Sequence, residues 1–78
     1  MDFAGTYGSF AIAVTGNTLS ATVGRPPSVT LISLREDVFF DAQDPSHRFV
    51  FERANDKVAA LRVVDSAGTE RRLRRSPP

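Results

Sequence analysis

The sequence contains no cysteine and no tryptophan, and its longest uninterrupted apolar run extends only from Phe10 to Val14. Without thiols the chain can form neither a disulfide nor a thiolate metal site, and its redox compartment stays undetermined. A run this short excludes a membrane-spanning helix, which needs roughly 18 apolar residues. Stability must therefore come from side-chain packing or from a partner.

The chain also has almost no lysine and almost no net charge. Lys57 is the single lysine, and ten cations against nine acids leave a net charge of +1. Such a chain has no overall field to attract nucleic acid or an anionic membrane. Its start carries an acid, Asp2, where a signal peptide would be basic, so we expect that an export signal either was never present or lies on a larger parent chain.

The length of 78 residues predicts a single domain over residues 1–78. A domain of this size has little room for both an active-site cleft and the shell that supports one. We therefore expect no enzymatic activity from these residues alone.

Turn-forming residues recur roughly every ten residues, which is typical of short strands in an all-β sandwich or barrel. These turns are Gly16-Asn17, Pro26-Pro27, Glu36-Asp37, Pro45-Ser46, Asn55-Asp56 and Ala67-Gly68. Eight strands are predicted between them: Phe3 to Tyr7, Phe10 to Thr15, Leu19 to Val23, Ser28 to Leu34, Val38 to Ala42, Arg48 to Arg53, Val58 to Asp65 and Thr69 to Arg74. The loop Gly16-Asn17 is the strongest local signal, because both residues adopt positive φ at low cost.

One segment, Val58 to Val64, fits a helical stripe as well as a strand. Its short length and its three valines favour a strand. A bulge near Ala59 and Ala60 would place Val58, Leu61 and Val63 on one face despite their irregular spacing.

Eight short strands favour closure into a small up-and-down antiparallel barrel, since closure removes unpaired edges. The barrel could also be flattened. Such a barrel encloses just enough space for side chains or one small ligand, and with six phenylalanines available we expect a filled interior. We expect residues 74–78 to form a loose tail.

The order of several short motifs resembles a known family. The chain opens with Gly5-x-Tyr7, continues through a hairpin at Asn17 to Leu19, contains Val58-x-x-Leu61-x-Val63, and closes with Gly68 and the run Arg71 to Arg75. This pattern resembles the lipocalin-like C-terminal domain appended to penicillin-binding-protein-like serine hydrolases, which are related to class C β-lactamases and D-aminopeptidases. One departure is the turn Asn55-Asp56-Lys57, where that family usually has glycine.

The resemblance implies a noncatalytic accessory module that shapes substrate access or assists oligomerisation. Its partner would be a serine hydrolase catalytic domain or another copy of the chain. The resemblance covers nearly the whole sequence, but nothing in these residues corresponds to the catalytic domain of those hydrolases.

Catalytic motifs are absent from the sequence. A hydrolase of that class uses Ser-x-x-Lys, whereas Lys57 follows Ala54 at that spacing. A triad of Ser46, His47 and Asp44 would need three loop neighbours in a buried geometry. The acids Glu36 and Asp37, or Asp41 and Asp44, could pair for acid-base chemistry but more commonly solubilise strand ends. We therefore predict no catalytic, cofactor-binding or metal-binding residue.

The run Arg71-Arg72-Leu73-Arg74-Arg75 has two interpretations. The arginines could contact phosphates while exposed phenylalanines stack on bases, as in small nucleic-acid-binding barrels. Alternatively, Leu73 points inward while Arg72 and Arg74 cover the outer face of the last strand and discourage edge pairing.

Three consecutive strands are apolar on both faces, which a barrel with a wet exterior does not need. We expect Ile32, Phe39 and Val50 to face outward as a partner surface, and Leu31, Phe40, Phe49 and Phe51 to face inward. On this hypothesis Phe39→Asp keeps the fold and weakens association. Alternatively, the barrel is flattened or a terminal segment covers the patch.

The leading function is a docking module, and the alternative is a small-ligand or single-stranded nucleic-acid binding barrel.

Overall fold

The structure is a computed structural model and describes residues 3–16, 18–25 and 27–76. Eight strands follow one another along the chain: β1 (Gly5–Tyr7), β2 (Phe10–Thr15), β3 (Thr18–Val23), β4 (Val29–Arg35), β5 (Val38–Asp41), β6 (Arg48–Ala54), β7 (Lys57–Val64) and β8 (Glu70–Arg74). Each strand pairs antiparallel with the next in a single sheet.

This sheet curls into a nearly closed barrel, which confirms the predicted all-β up-and-down architecture. The described residues contain no helix that could cross a membrane.

Two-residue hairpins set much of the strand register. Thr15 pairs with Thr18, and Gly16 between them has φ of 61°, as predicted; Asn17 of this turn and Pro26 of the next lie outside the described residues. In the β6–β7 turn, Asn55 and Asp56 have φ of 53° and 65°. Left-handed φ at both positions is the geometry that suits the twist of a two-residue hairpin. The chain thus makes this turn without a glycine.

The predicted bulge in β7 is confirmed. Glu52 pairs with Ala60 and Arg53 with Val58, so Ala59 is the extra residue on this strand. The bulge shifts the alternation by one position, and Val58 and Leu61 therefore both lie in the core. Val63 packs against them.

Phe39 and Phe40 face the opposite way from the prediction. Phe39 is 7% exposed and lies opposite Phe49 in the core, whereas Phe40 pairs with Ile32 and Arg48 on the outer face. The segment Val38-Phe39-Phe40 is apolar throughout, so alternation alone could not orient it. The other expected inward residues, Leu31, Phe49 and Phe51, are buried as predicted.

Aromatic rings fill the barrel interior. The ring centroid of Phe51 lies 4.6 Å from that of Phe3, and 5.7 Å from those of both Phe39 and Tyr7. Tyr7 is fully buried, and its hydroxyl donates a 2.7 Å hydrogen bond to the carbonyl oxygen of Phe3. A buried phenol needs such a partner, and edge-on ring pairs add about 0.5–1.5 kcal/mol each beyond area burial.

Closure of the barrel depends on the residues expected to form a loose tail, and that expectation is wrong for residues 74–76. Arg74 pairs with Ala60 as the last residue of β8, and Arg75 forms an isolated antiparallel bridge with Tyr7. The Ser76 amide then donates to the Thr6 carbonyl at 2.7 Å. These bonds satisfy the free edge of β1, which is the physical reason the segment is held. Residues 77–78 lie outside the described residues.

Candidate functional site

A contiguous apolar patch lies on the outer face of β4, β5 and β6. Ile32 is 43% exposed and pairs across strands with Phe40, while Val38 pairs with Val50. Val38 and Phe40 are two residues apart on β5 and therefore share a face. We call Ile32, Val38, Phe40 and Val50 the outer patch. The bulge residue of β4, Leu34, follows Ile32 by two positions and is 47% exposed.

Three arginines border the outer patch in the strand register. Arg35 lies opposite Val38, Arg48 opposite Phe40, and Arg62 opposite Val50. The guanidinium carbon of Arg48 lies 5.8 Å from the centre of the Phe40 ring, within cation–π range. Arg62 is paired with Glu70 at 3.7 Å, whereas Arg35 and Arg48 form no ion pair within the described residues. The patch is thus apolar at its centre and carries unpaired positive charge at its rim, an arrangement suited to a partner surface that is apolar with acidic edges.

The structure places two of the three predicted surface residues in this patch. Ile32 and Val50 lie on the outer face, but Phe39 lies in the core and Phe40 takes its position. Nothing within Val38-Phe39-Phe40 orients Phe40, and its position follows only from the register between β4 and β5. The two-residue turn after Arg35 places Val38 opposite this charged residue, which must face water, and Phe40 shares the face of Val38.

The side chains of Asp44, Ser46 and His47 meet, but not in the order of a catalytic triad. The Ser46 hydroxyl donates to Asp44 Oδ1 at 2.6 Å, and His47 Nδ1 lies 2.7 Å from Asp44 Oδ2 without an aligned hydrogen bond. The carboxylate therefore sits between the serine and the histidine, whereas a triad needs the imidazole in that central position to take the serine proton. The Ser46 hydroxyl bond lowers the pKa of Asp44, against a smaller opposing effect of burial.

The other candidate acids fasten turns rather than pair with each other. Asp37 accepts two hydrogen bonds from the Arg53 guanidinium, at 2.9 and 3.0 Å, which joins the β4–β5 turn to β6. Asp41 Oδ1 accepts the Gln43 amide at 2.8 Å. Across the described ranges no group of three or more His, Asp or Glu residues could hold a metal ion.

The run Arg71 to Arg75 has the arrangement of the second interpretation, in which Leu73 points inward and arginines cover the outer face. Leu73 packs against the core, and Arg72 on the opposite face forms a 2.8 Å ion pair with Glu52. Arg74 is exposed on the same outer face. Five of the six phenylalanines belong to the core, which leaves Phe40 as the one ring placed where a base could stack.

A pocket of about 670 Å³ opens at the seam between β1 and the last strands. Its lining residues are Ala4, Gly5, Thr6, Lys57, Val58, Ala59, Arg75 and Ser76. The guanidinium of Arg75 crosses this seam: Nη1 donates to the Val58 carbonyl at 3.2 Å and Nη2 to the Ala4 carbonyl. The pocket therefore lies in the barrel wall, away from the filled interior.

Comparison with known proteins adds no family to this description. No family model, no curated protein and no solved structure matches the chain.

Proposed function

We propose that this chain is a noncatalytic accessory domain that docks onto a partner protein through the outer patch. The observation that carries the proposal is the position of Ile32, Val38, Phe40 and Val50. They form a connected apolar surface outside the core, in which Ile32 is exposed and the other three side chains are partly exposed. Contiguous exposed apolar area usually marks an interaction site.

The rim arginines favour a partner with acidic groups around an apolar centre. A second copy docking patch to patch would bring Arg35 and Arg48 of both subunits together, because a two-fold interface apposes the same surface. Like charges brought together at an interface disfavour that pairing. The sequence resemblance suggests the partner: the catalytic domain of a β-lactamase-type serine hydrolase.

Binding to a separately purified hydrolase catalytic domain of that class, from the same organism, tests the proposal. We expect wild-type chain to bind, and Phe40→Asp to raise the Kd at least tenfold because it places a carboxylate in the apolar centre. Ala13→Asp is the matched control, since Ala13 is exposed on β2 and lies outside the outer patch. This variant should bind like the wild type.

Three outcomes would count against the proposal. Absence of wild-type binding, or equal weakening by both variants, would remove the role assigned to the outer patch. Sedimentation velocity gives the third: self-association of the wild type that Phe40→Asp abolishes would assign the patch to a second copy of the chain.

A second candidate, single-stranded nucleic-acid binding, is favoured by one observation. Phe40 lies on the outer face together with Arg48, Arg72 and Arg74, which could stack a base and contact phosphates. The pairing of Arg72 with Glu52 weakens this case. A salt-dependent shift with a single-stranded oligonucleotide at about 50 mM salt would support it, since phosphate contacts are salt-sensitive; no binding under those conditions would end it.

Carriage of a small ligand inside the barrel has less support, because aromatic side chains occupy the interior. A ligand-carrying barrel needs an open apolar cavity there.

A further inference from the structure

The two ends of the sheet, β1 and β8, meet at a seam that has only a short stretch of backbone pairing. Arg75 bridges Tyr7, and Ser76 bonds to Thr6. Next to this short contact the two sides are joined through a side chain, because the Arg75 guanidinium donates to the carbonyl of Val58 on β7 and to that of Ala4, which precedes β1. The side chain of Arg75 therefore supplies hydrogen bonds at this seam, whereas backbone hydrogen bonds join the other neighbouring strands.

The ionisable residues that line the seam pocket are both cations. Lys57 and Arg75 are its ionisable lining residues, Thr6 and Ser76 add hydroxyl groups, and none of the eight lining residues is an acid. Lys57 is exposed and forms no ion pair within the part of the chain that the structure describes. A volume of about 670 Å³ lies in the range of small-molecule sites.

Arg75 is held in place before any ligand arrives. Its two carbonyl contacts use Nη1 and Nη2, and its guanidinium carbon lies 5.8 Å from the centre of the Tyr7 ring. Gly5 makes room for it, because a Cβ atom at this position would lie only 2.9 Å from Arg75 Nε. A cation fixed in this way loses little conformational freedom when it binds an anion.

We propose that the seam pocket binds a small organic anion, a carboxylate or a phosphate ester. The anionic group would lie between Lys57 and Arg75, and the apolar body would pack against Ala4 and Ala59, which are the lining alanines outside the core. This proposal is independent of the outer patch, which lies on β4, β5 and β6, so either can fail without the other.

Titration of ¹⁵N-labelled chain with benzoate, phenyl phosphate and inorganic phosphate, followed by amide shifts in two-dimensional NMR, tests the proposal. We expect saturable shifts at Gly5, Thr6, Lys57 and Ser76 with at least one organic probe. The comparison of benzoate with phenyl phosphate shows which anionic group the pocket prefers. Inorganic phosphate shows what the anion achieves without an apolar body.

Two substitutions with the same loss of charge make the test specific. Lys57→Gln should weaken binding of the organic probe at least fivefold, whereas Arg25→Gln should leave it unchanged, because Arg25 lies in the β3–β4 connection outside the pocket. Both variants should melt near the wild-type temperature, since neither cation contacts the core. Shifts centred on Arg71 to Arg74, equal weakening by both variants, or failure to saturate with any probe would each overturn the proposal.

Discussion

Adjacent phenylalanines on opposite faces of β5 provide a sharp test of the fold. Phe39 is 7% exposed, and its ring meets those of Phe3 and Phe51 edge-on at 5.3 and 5.7 Å. Phe40 is half-buried on the outer face beneath Arg48. The same substitution at the two positions should therefore have very different effects on the free energy of unfolding.

The magnitudes follow from the two environments. Truncation of a core phenylalanine to alanine costs about 3–5 kcal/mol, because lost burial and a residual cavity add together. At Phe40 the losses are a cation–π contact of about 0.5–1 kcal/mol and part of the roughly 1.5–3 kcal/mol that full burial of such a side chain provides. We expect Phe40→Ala to cost about 1–2 kcal/mol, and the two variants therefore to differ by about 1–4 kcal/mol.

Urea unfolding followed by far-ultraviolet circular dichroism measures this difference. A domain of this length has a stability of roughly 4–12 kcal/mol, so Phe39→Ala could leave too little folded protein. The pair Phe39→Leu and Phe40→Leu keeps the comparison measurable, because leucine removes less side-chain volume than alanine does and leaves a smaller cavity in the core. A larger loss at Phe40 than at Phe39 in either pair would refute the orientation of β5.

Two further predictions concern single polar contacts. Tyr7→Phe should destabilise the chain by about 1–3 kcal/mol, because it removes the buried donor to the Phe3 carbonyl; an unchanged urea midpoint would contradict this. Ser46→Ala should raise the pKa of Asp44 towards its ordinary value, because the Ser46 hydroxyl is the main cause of the lowering. A carboxylate with a lowered folded-state pKa contributes stability above its unfolded pKa and loses it as the pH falls through the folded value. NMR titration of the Asp44 carboxyl carbon measures this pKa, and equal values in both proteins would show that the hydroxyl has no such effect.

Local chemistry accounts for the parts of the fold that could be predicted. The turn Gly16-Asn17 and the alternation of Phe10, Ile12 and Val14 are encoded by a few consecutive residues, so the strand number and order followed from the sequence. The Ala59 bulge could also be predicted, because the irregular spacing of Val58, Leu61 and Val63 allows a common face only with one extra residue.

The candidate sites depended more on contacts between distant residues. Ile32 and Val50, two of the four outer-patch residues, were predicted from doubly apolar strands, but Val38-Phe39-Phe40 has no polar position to orient it. The seam pocket gave no local signal at all. Gly5 and Arg75 lie at opposite ends of the described chain, and their approach depends on the curvature of the whole sheet.

The sequence by itself determined eight short strands, their order and the turns between them, because φ preferences and period-two alternation act over a few residues. The tertiary structure alone decided which of two neighbouring phenylalanines enters the core and that Arg75 closes the wall. Both outcomes depend on cross-strand register and on closure of the sheet, which couple residues far apart in the chain and leave no mark on any one segment.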